Sequence, residues 1–179
     1  YNPAPSAEGL DFTDPLAEET PNSHTAYHAG MSDWCANCHG IYHANQPGAG
    51  GFEHGSGVTL RASDMRVYNS YAGASNPFGG DATTAYLPEV PFEGPQTATA
   101  ATLGPVSGDG VMCLTCHRAH ASSGPASGRW DFNVDLLDND GVVSGSWPLP
   151  NPYADPAQGP LCAKCHRGSG PHDVTPTSN

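Results

Sequence analysis

Six cysteines fall into three pairs, and each pair sits in the same frame with a histidine directly behind it. The frames read Cys35-Ala-Asn-Cys38-His39, Cys113-Leu-Thr-Cys116-His117 and Cys162-Ala-Lys-Cys165-His166. No cysteine of the 179-residue chain lies outside them. A feature this regular fixes where the chain does its chemistry and obliges everything else to be arranged around it.

C-x-x-C-H is the attachment signature of c-type haem. Two thiols add across the two vinyl groups of one porphyrin, and the following histidine lies beneath the iron as its proximal ligand. The motif therefore assigns Cys35, Cys38, Cys113, Cys116, Cys162 and Cys165 to covalent attachment of three haem c groups, with His39, His117 and His166 on the three irons. Other uses of C-x-x-C fit less well. A thioredoxin-like redox pair needs a βαβ setting that the chain lacks. Structural zinc knuckles explain neither the third pair nor the trailing histidines. A disulfide inside C-x-x-C is strained and closes almost no loop.

Composition points the same way. Gly (22) and Pro (18) make up 40 residues, charged residues only 13%, and long apolar periodic stretches are missing. Such a chain has little side-chain surface with which to offset the entropy lost on ordering. The expected fold is mostly irregular coil, with a few short helices around the C-x-x-C-H motifs, minor short strands, and a haem core. One unit over residues 1–179 would divide into a first haem segment with an N-terminal arm (1–60), a Gly/Ala/Thr/Pro-rich spacer (61–110) and a doubled-motif segment (111–179). The stretch 55–110 holds Tyr68, Tyr71, Phe78, Tyr86 and Phe92 at irregular spacing. It predicts short strands near 57–60 and 65–71 and disfavours helix. Its bulk reads either as a loop packed over haem faces or as a surface for neighbouring subunits.

Haem attachment takes place outside the cytoplasmic membrane, and Tyr1 rather than Met stands first. The expectation is a secreted protein, extracellular or on the cell surface, with the periplasm as the alternative. No apolar run approaches the ~20 residues needed to span a bilayer. Eighteen acidic against six basic residues give a formal charge of −12, which disfavours nucleic acid and anionic membranes as partners. Lys164 is the single lysine, so no lysine ring exists for docking an acidic partner.

Nine histidines less three proximal ones leave His24, His28, His43, His54, His120 and His172 as candidate distal ligands. Met31, Met65 and Met112 compete in principle, although Met112 abuts Cys113. Full bis-histidine ligation implies low reduction potentials. On a helical turn His120 would share a face with His117, and His43 with His39. His120 would then serve a different haem or none. His54 follows the turn-forming run 46–51 and adjoins Phe52, which could pack on a porphyrin. His24 and His28 lie just upstream of the first motif, His172 in a Pro- and Thr-containing tail. The run Asp131, Asn133, Asp135, Asp138, Asn139, Asp140, Gly141 resembles acidic loops that bind Ca²⁺. Leu136 stands where an oxygen ligand is needed, which favours a plain turn.

Residues 111–166, with C-x-x-C-H-x-x-H and then a second C-x-x-C-H, look like the doubled C-x-x-C-H family of multihaem cytochromes c. The N-terminal part, C-x-x-C-H followed by Phe52-Glu53-His54, is similar to extracellular multihaem cytochromes of metal-reducing microbes. The resemblance implies electron transfer with no substrate of its own, hence no enzyme. Some such proteins polymerise into filaments in which a histidine of one subunit completes a haem of the next. The best-known filament subunits carry four or more haems, whereas three are counted here. The expected role is a repeating subunit of a homopolymer with haem contacts between subunits, passing electrons to redox proteins or extracellular acceptors. One haem per 179/3, about 60, residues leaves chain to spare for such contacts. The alternatives are a discrete trihaem shuttle and a haem-reductase subunit. The latter needs a vacant iron position, against which six spare histidines argue.

Overall fold

The computed structural model describes residues 2–10, 18–39, 56–94, 101–120, 122–134, 136, 143–144, 147–148, 152–153 and 159–166. Strand β1 (Ala7–Leu10) pairs antiparallel with β2 (His24–His28), Ala7 opposite Tyr27 and Leu10 opposite His24. Thr25 and Tyr27 suit this extended backbone, and a turn closed by reciprocal Thr20–Ser23 backbone bonds feeds it. Three two-residue strands extend the sheet: β3 (Val58–Thr59), β4 (Glu93–Gly94) and β5 (Gly110–Val111). The order is β1-β2-β4-β5-β3, with β4 parallel to β2 and the other pairs antiparallel. A parallel pair demands a long crossover. Here that crossover includes the first C-x-x-C-H motif and much of the spacer.

The helices are short. They are α1 (Met31–His39), α2 (Ala62–Ser70), α3 (Cys113–Cys116) and α4 (Gly159–Ala163), and a ribbon of β6 (Val143–Ser144) and β7 (Trp147–Pro148) stands apart from the sheet. Of these four α-helices among the described residues, three carry a C-x-x-C-H motif or its first part, and the described connection 71–92 is irregular. No helix among the described residues is long and apolar enough to cross a membrane.

The spacer departs from expectation. Val58–Thr59 is a strand, but 62–70 is helix rather than strand. Composition averaged over 55–110 hid a local fact: residues 61–71 contain neither Gly nor Pro. Asp64 starts the helix by accepting from the Arg61 N–H (3.2 Å) and its guanidinium (2.9 and 3.0 Å), which satisfies a donor that the helix would otherwise orphan.

The described residues also close a small apolar core of their own. Tyr68, Ala85, Leu87, Val90, Trp130 and Leu161 cluster, with Phe92, Tyr153, Cys116 and Cys165 packed against them. The Tyr68 hydroxyl donates to the Val90 carbonyl (2.8 Å) and accepts the Leu87 N–H (3.1 Å), so its burial strands no polar group. Two motif thiols thus border the core directly.

Candidate haem-attachment site

The first motif rides on α1, and the spacer fixes where α1 begins. Glu93, on β4, turns its carboxylate onto the helix N-terminus, accepting the Met31 N–H at 2.8 Å with the amides of Gly30 and Ser32 close by. Those amides have no partner within the helix, and negative charge there complements the helix dipole. Burial pushes the Glu93 carboxyl above its usual range, and these amides oppose the shift. One residue along, the buried Ser32 hydroxyl accepts the Cys113 N–H at 3.1 Å. The first motif's helix thereby caps α3, which carries the second. Cys35 and Cys113 come near one another where α1 packs on α3, close enough for one thiol to shift the other.

A clamp holds the second motif from its other side. Thr115 Oγ accepts the Met112 N–H (3.1 Å) and donates to the Pro91 carbonyl (2.7 Å). The run 126–129, which leaves a short 3-10 turn at Pro125–Ser127, then binds the motif residue by residue. Ala126 O accepts from His117 Nδ1 (2.9 Å), Ser127 O from the Arg118 N–H (2.7 Å), and Cys116 O from the Arg129 N–H (2.8 Å). Ala126 and Ser127 adopt φ of 54° and 55° to present these carbonyls. Left-handed backbone at a non-glycine residue costs about 1–2 kcal/mol, which the clamp bonds must offset.

The third motif is anchored through its middle. Lys164 Nζ donates to the Tyr71 carbonyl just past α2 (3.2 Å) and lies 4.5 Å from the centroid of the Tyr68 ring. A cation is favoured at a helix C-terminus and over an aromatic face. Burial lowers its pKa to about 8.

Each motif is one helical turn closed from its histidine to its first cysteine. His117 N–H bonds Cys113 O (3.0 Å) and His166 N–H bonds Cys162 O (2.9 Å), while His39 ends α1. That turn brings two thiols and an imidazole onto one small scaffold. All six cysteines are free thiols. Burial pushes Cys35 up to about 11 and both Cys116 and Cys165 up to about 12, with neighbouring thiols adding to the shift. An apolar setting that disfavours thiolate suits the uncharged thioether of an attached haem. The His117 ring completes the fit, because the Ala126 carbonyl fixes Nδ1 as the protonated nitrogen and leaves Nε2 free to ligate.

The distal candidates separate. His24 is 2% exposed, holds its Nε2 2.7 Å from the Ala101 carbonyl and stacks on Tyr86 (centroids 3.5 Å apart, planes 11° apart), with Nδ1 buried and unpartnered. His28 lies four residues on along β2, half-buried, its Nε2 3.6 Å from a Glu8 carboxylate oxygen. The expected helical turn joining His117 and His120 is not formed. Helix α3 ends at Cys116, His117 is extended, and exposed His120 has a φ of 65°. Clamping by 126–129 pulls the chain out of helical register there. His43, His54 and His172 lie outside the described residues. At the acidic run, Asp131 Oδ1 accepts from Asn133 N (2.9 Å) and Nδ2 (3.0 Å), a local turn, and Asp135 and 138–141 lie outside the described residues. Sequence reading passed over Ser32, Glu93, Thr115 and Arg129. Only the hydroxyl at Thr115, inside a motif, offered any signal; the others act across long sequence separations.

No protein-family model matches the chain. It is 36% identical over 131 residues to C-type cytochrome OmcS of Geobacter sulfurreducens, covering 66% of this chain and 30% of that protein. The chain thus spans about a third of the length of that curated relative. Among solved structures, it is similar to an outer membrane cytochrome S filament from Geobacter sulfurreducens (TM-score 0.54, 32% identity, 67% of this chain and 32% of the other). It is also similar to the OmcS nanowires of that organism (TM-score 0.59, 27% identity, 91% of this chain and 44% of the other).

Proposed function

We propose that this chain, a multihaem c-type cytochrome resembling the subunits of extracellular cytochrome filaments, moves electrons outside the cell through three haem c groups as a repeating unit of such a filament. One observation carries the reading: the three C-x-x-C-H motifs adjoin on one scaffold. Cys35 lies near Cys113 where α1 packs on α3, and Cys116 and Cys165 pack on the same apolar cluster. Attachment points this close favour haems near enough to exchange electrons, with no substrate pocket required between them.

Bound haem supplies a one-electron iron couple. The chain's part is to hold and insulate it. Cys35 with Cys38, Cys113 with Cys116, and Cys162 with Cys165 would attach the groups, and His39, His117 and His166 would ligate the irons. His28 is the better-placed distal ligand of β2, since the His24 Nε2 is committed to Ala101. His120, His43, His54 and His172 remain candidates for the other irons, one of them in a neighbouring subunit. At the start of the acidic run Asp131 and Asn133 form a local turn, and no Ca²⁺ role is assigned to it.

Intact mass of the native protein should show three haem additions, and its ferric form only low-spin signals without ready CO binding once reduced. Negative-stain images of the secreted fraction should show filaments. Dispersed monomers under native conditions would return the role to a discrete shuttle, and high-spin iron would revive the enzyme reading.

A further inference from the structure

Beside the second motif, the buried guanidinium of Arg129 and the half-buried one of Arg118 form no ion pair with a carboxylate among the described residues. Arg129 is 2% exposed. Its Nε donates to the Leu114 carbonyl at 2.5 Å and its Nη1 to the Pro88 carbonyl at 3.3 Å, with Tyr27 nearby. Arg118 follows His117 directly, and its Nε is buried with no hydrogen-bond partner. The two arginines lie close enough to repel each other. Neither forms an ion pair with any described residue. Glu19 and Glu89 act on Arg118 only from beyond pairing distance, and a Glu19 oxygen is already bonded to the Thr25 N–H at 2.9 Å.

Buried charge is ordinarily paired, because an uncompensated ion in a low-dielectric interior is strongly unfavourable. Two adjacent cations, one of them fully buried, that pair with no described carboxylate therefore mark a place suited to an anion. A guanidinium fork matches a carboxylate in particular. We infer that Arg118 and Arg129 form a carboxylate pocket whose occupant is a propionate of a haem carried by this chain. The inference rests on the haem reading above. The placement supports it twice over: Arg118 adjoins a proximal histidine candidate, and Arg129 grips Leu114 between Cys113 and Cys116. The pocket couples the clamp around the second motif to the haem itself, so that motif geometry and haem position are set together. Positive charge at a propionate also favours the reduced haem, which places a determinant of one potential in these residues.

Arg118→Gln tests the assignment in the full, haem-loaded protein, since Arg129 is deep in the core and its loss endangers folding. Arg118→Lys retains the charge without the fork. Intact mass first establishes that each variant carries the same haems as the parent, which separates failure here from failure of the haem reading. Potentiometric titration should then show one midpoint potential lowered in Arg118→Gln and the others unmoved, with resonance Raman bands of the propionates altered. Arg118→Lys should restore most of the potential but not the Raman bands. Unchanged potentials and bands in Arg118→Gln would overturn the proposal. So would saturable binding of inorganic phosphate that Arg118→Gln abolishes while the potentials stay fixed, because the occupant would then be a free anion.

Discussion

Glu89 lies 8% exposed among Tyr86, Tyr153, Glu18, Glu19 and Arg129, with one carboxylate oxygen lacking any hydrogen bond. Burial raises its pKa from 4.5 to about 7, opposed by a backbone hydrogen bond and by Arg129. The folded state therefore holds this proton more tightly than the unfolded chain. Its contribution to stability is fully present below pH 4.5 and is lost as the pH rises through about 7. A shift of that size corresponds to about 3 kcal/mol. Glu89→Gln, which mimics the protonated form, should be more stable than the parent at pH 8 and lose that advantage toward pH 4.5. Denaturation midpoints across this range check it, and parallel pH profiles would refute it. At this scale the sequence was silent. A glutamate in a Pro-flanked run looks like a surface residue until the fold closes over it.

At the scale of elements, the motif helices are too short to stand alone. Helices under about twelve residues are marginal in water, and α1 has nine residues, α4 five and α3 four. Tertiary caps hold them: Glu93 on α1, Ser32 on α3, Lys164 tying the third motif to the end of α2. Glu93→Ala should cost about 1–2 kcal/mol, in the range of other cap losses, and should speed amide exchange at Met31 and Ser32 more than in β1 or β2. Uniform exchange throughout would show that Glu93 does not act as a cap. Short helices at the cysteine motifs were legible because the C-x-x-C-H frame itself demands a turn. Helix α2 was not, since a window average over the spacer diluted an eleven-residue stretch free of Gly and Pro. The turn expected at His117–His120 failed for a different reason, a clamp formed by residues nine to twelve positions downstream.

Over the whole molecule, the 61–110 segment is a hub more than a spacer. It supplies Tyr68, Leu87 and Val90 to the core, caps the first motif, braces the second through Pro91 and receives the third through Tyr71. Removing one attachment point should leave the other two standing on that hub. Cys113→Ala with Cys116→Ala is expected to lower the intact mass by one haem while far-ultraviolet circular dichroism is largely retained. Loss of all three haems would show instead that attachment is cooperative across the chain. What the sequence determined alone is the chemistry: thiol pairs and their trailing histidines are covalent and local, so their spacing carries their meaning without a fold. It also determined the scarcity of regular structure, because Gly and Pro act on the backbone where they stand. The tertiary structure alone decided which imidazole nitrogens are free, which carboxylates and guanidiniums are buried, and that the three motifs meet. Those are matters of burial and of contacts between residues far apart in the chain, and no local pattern encodes them.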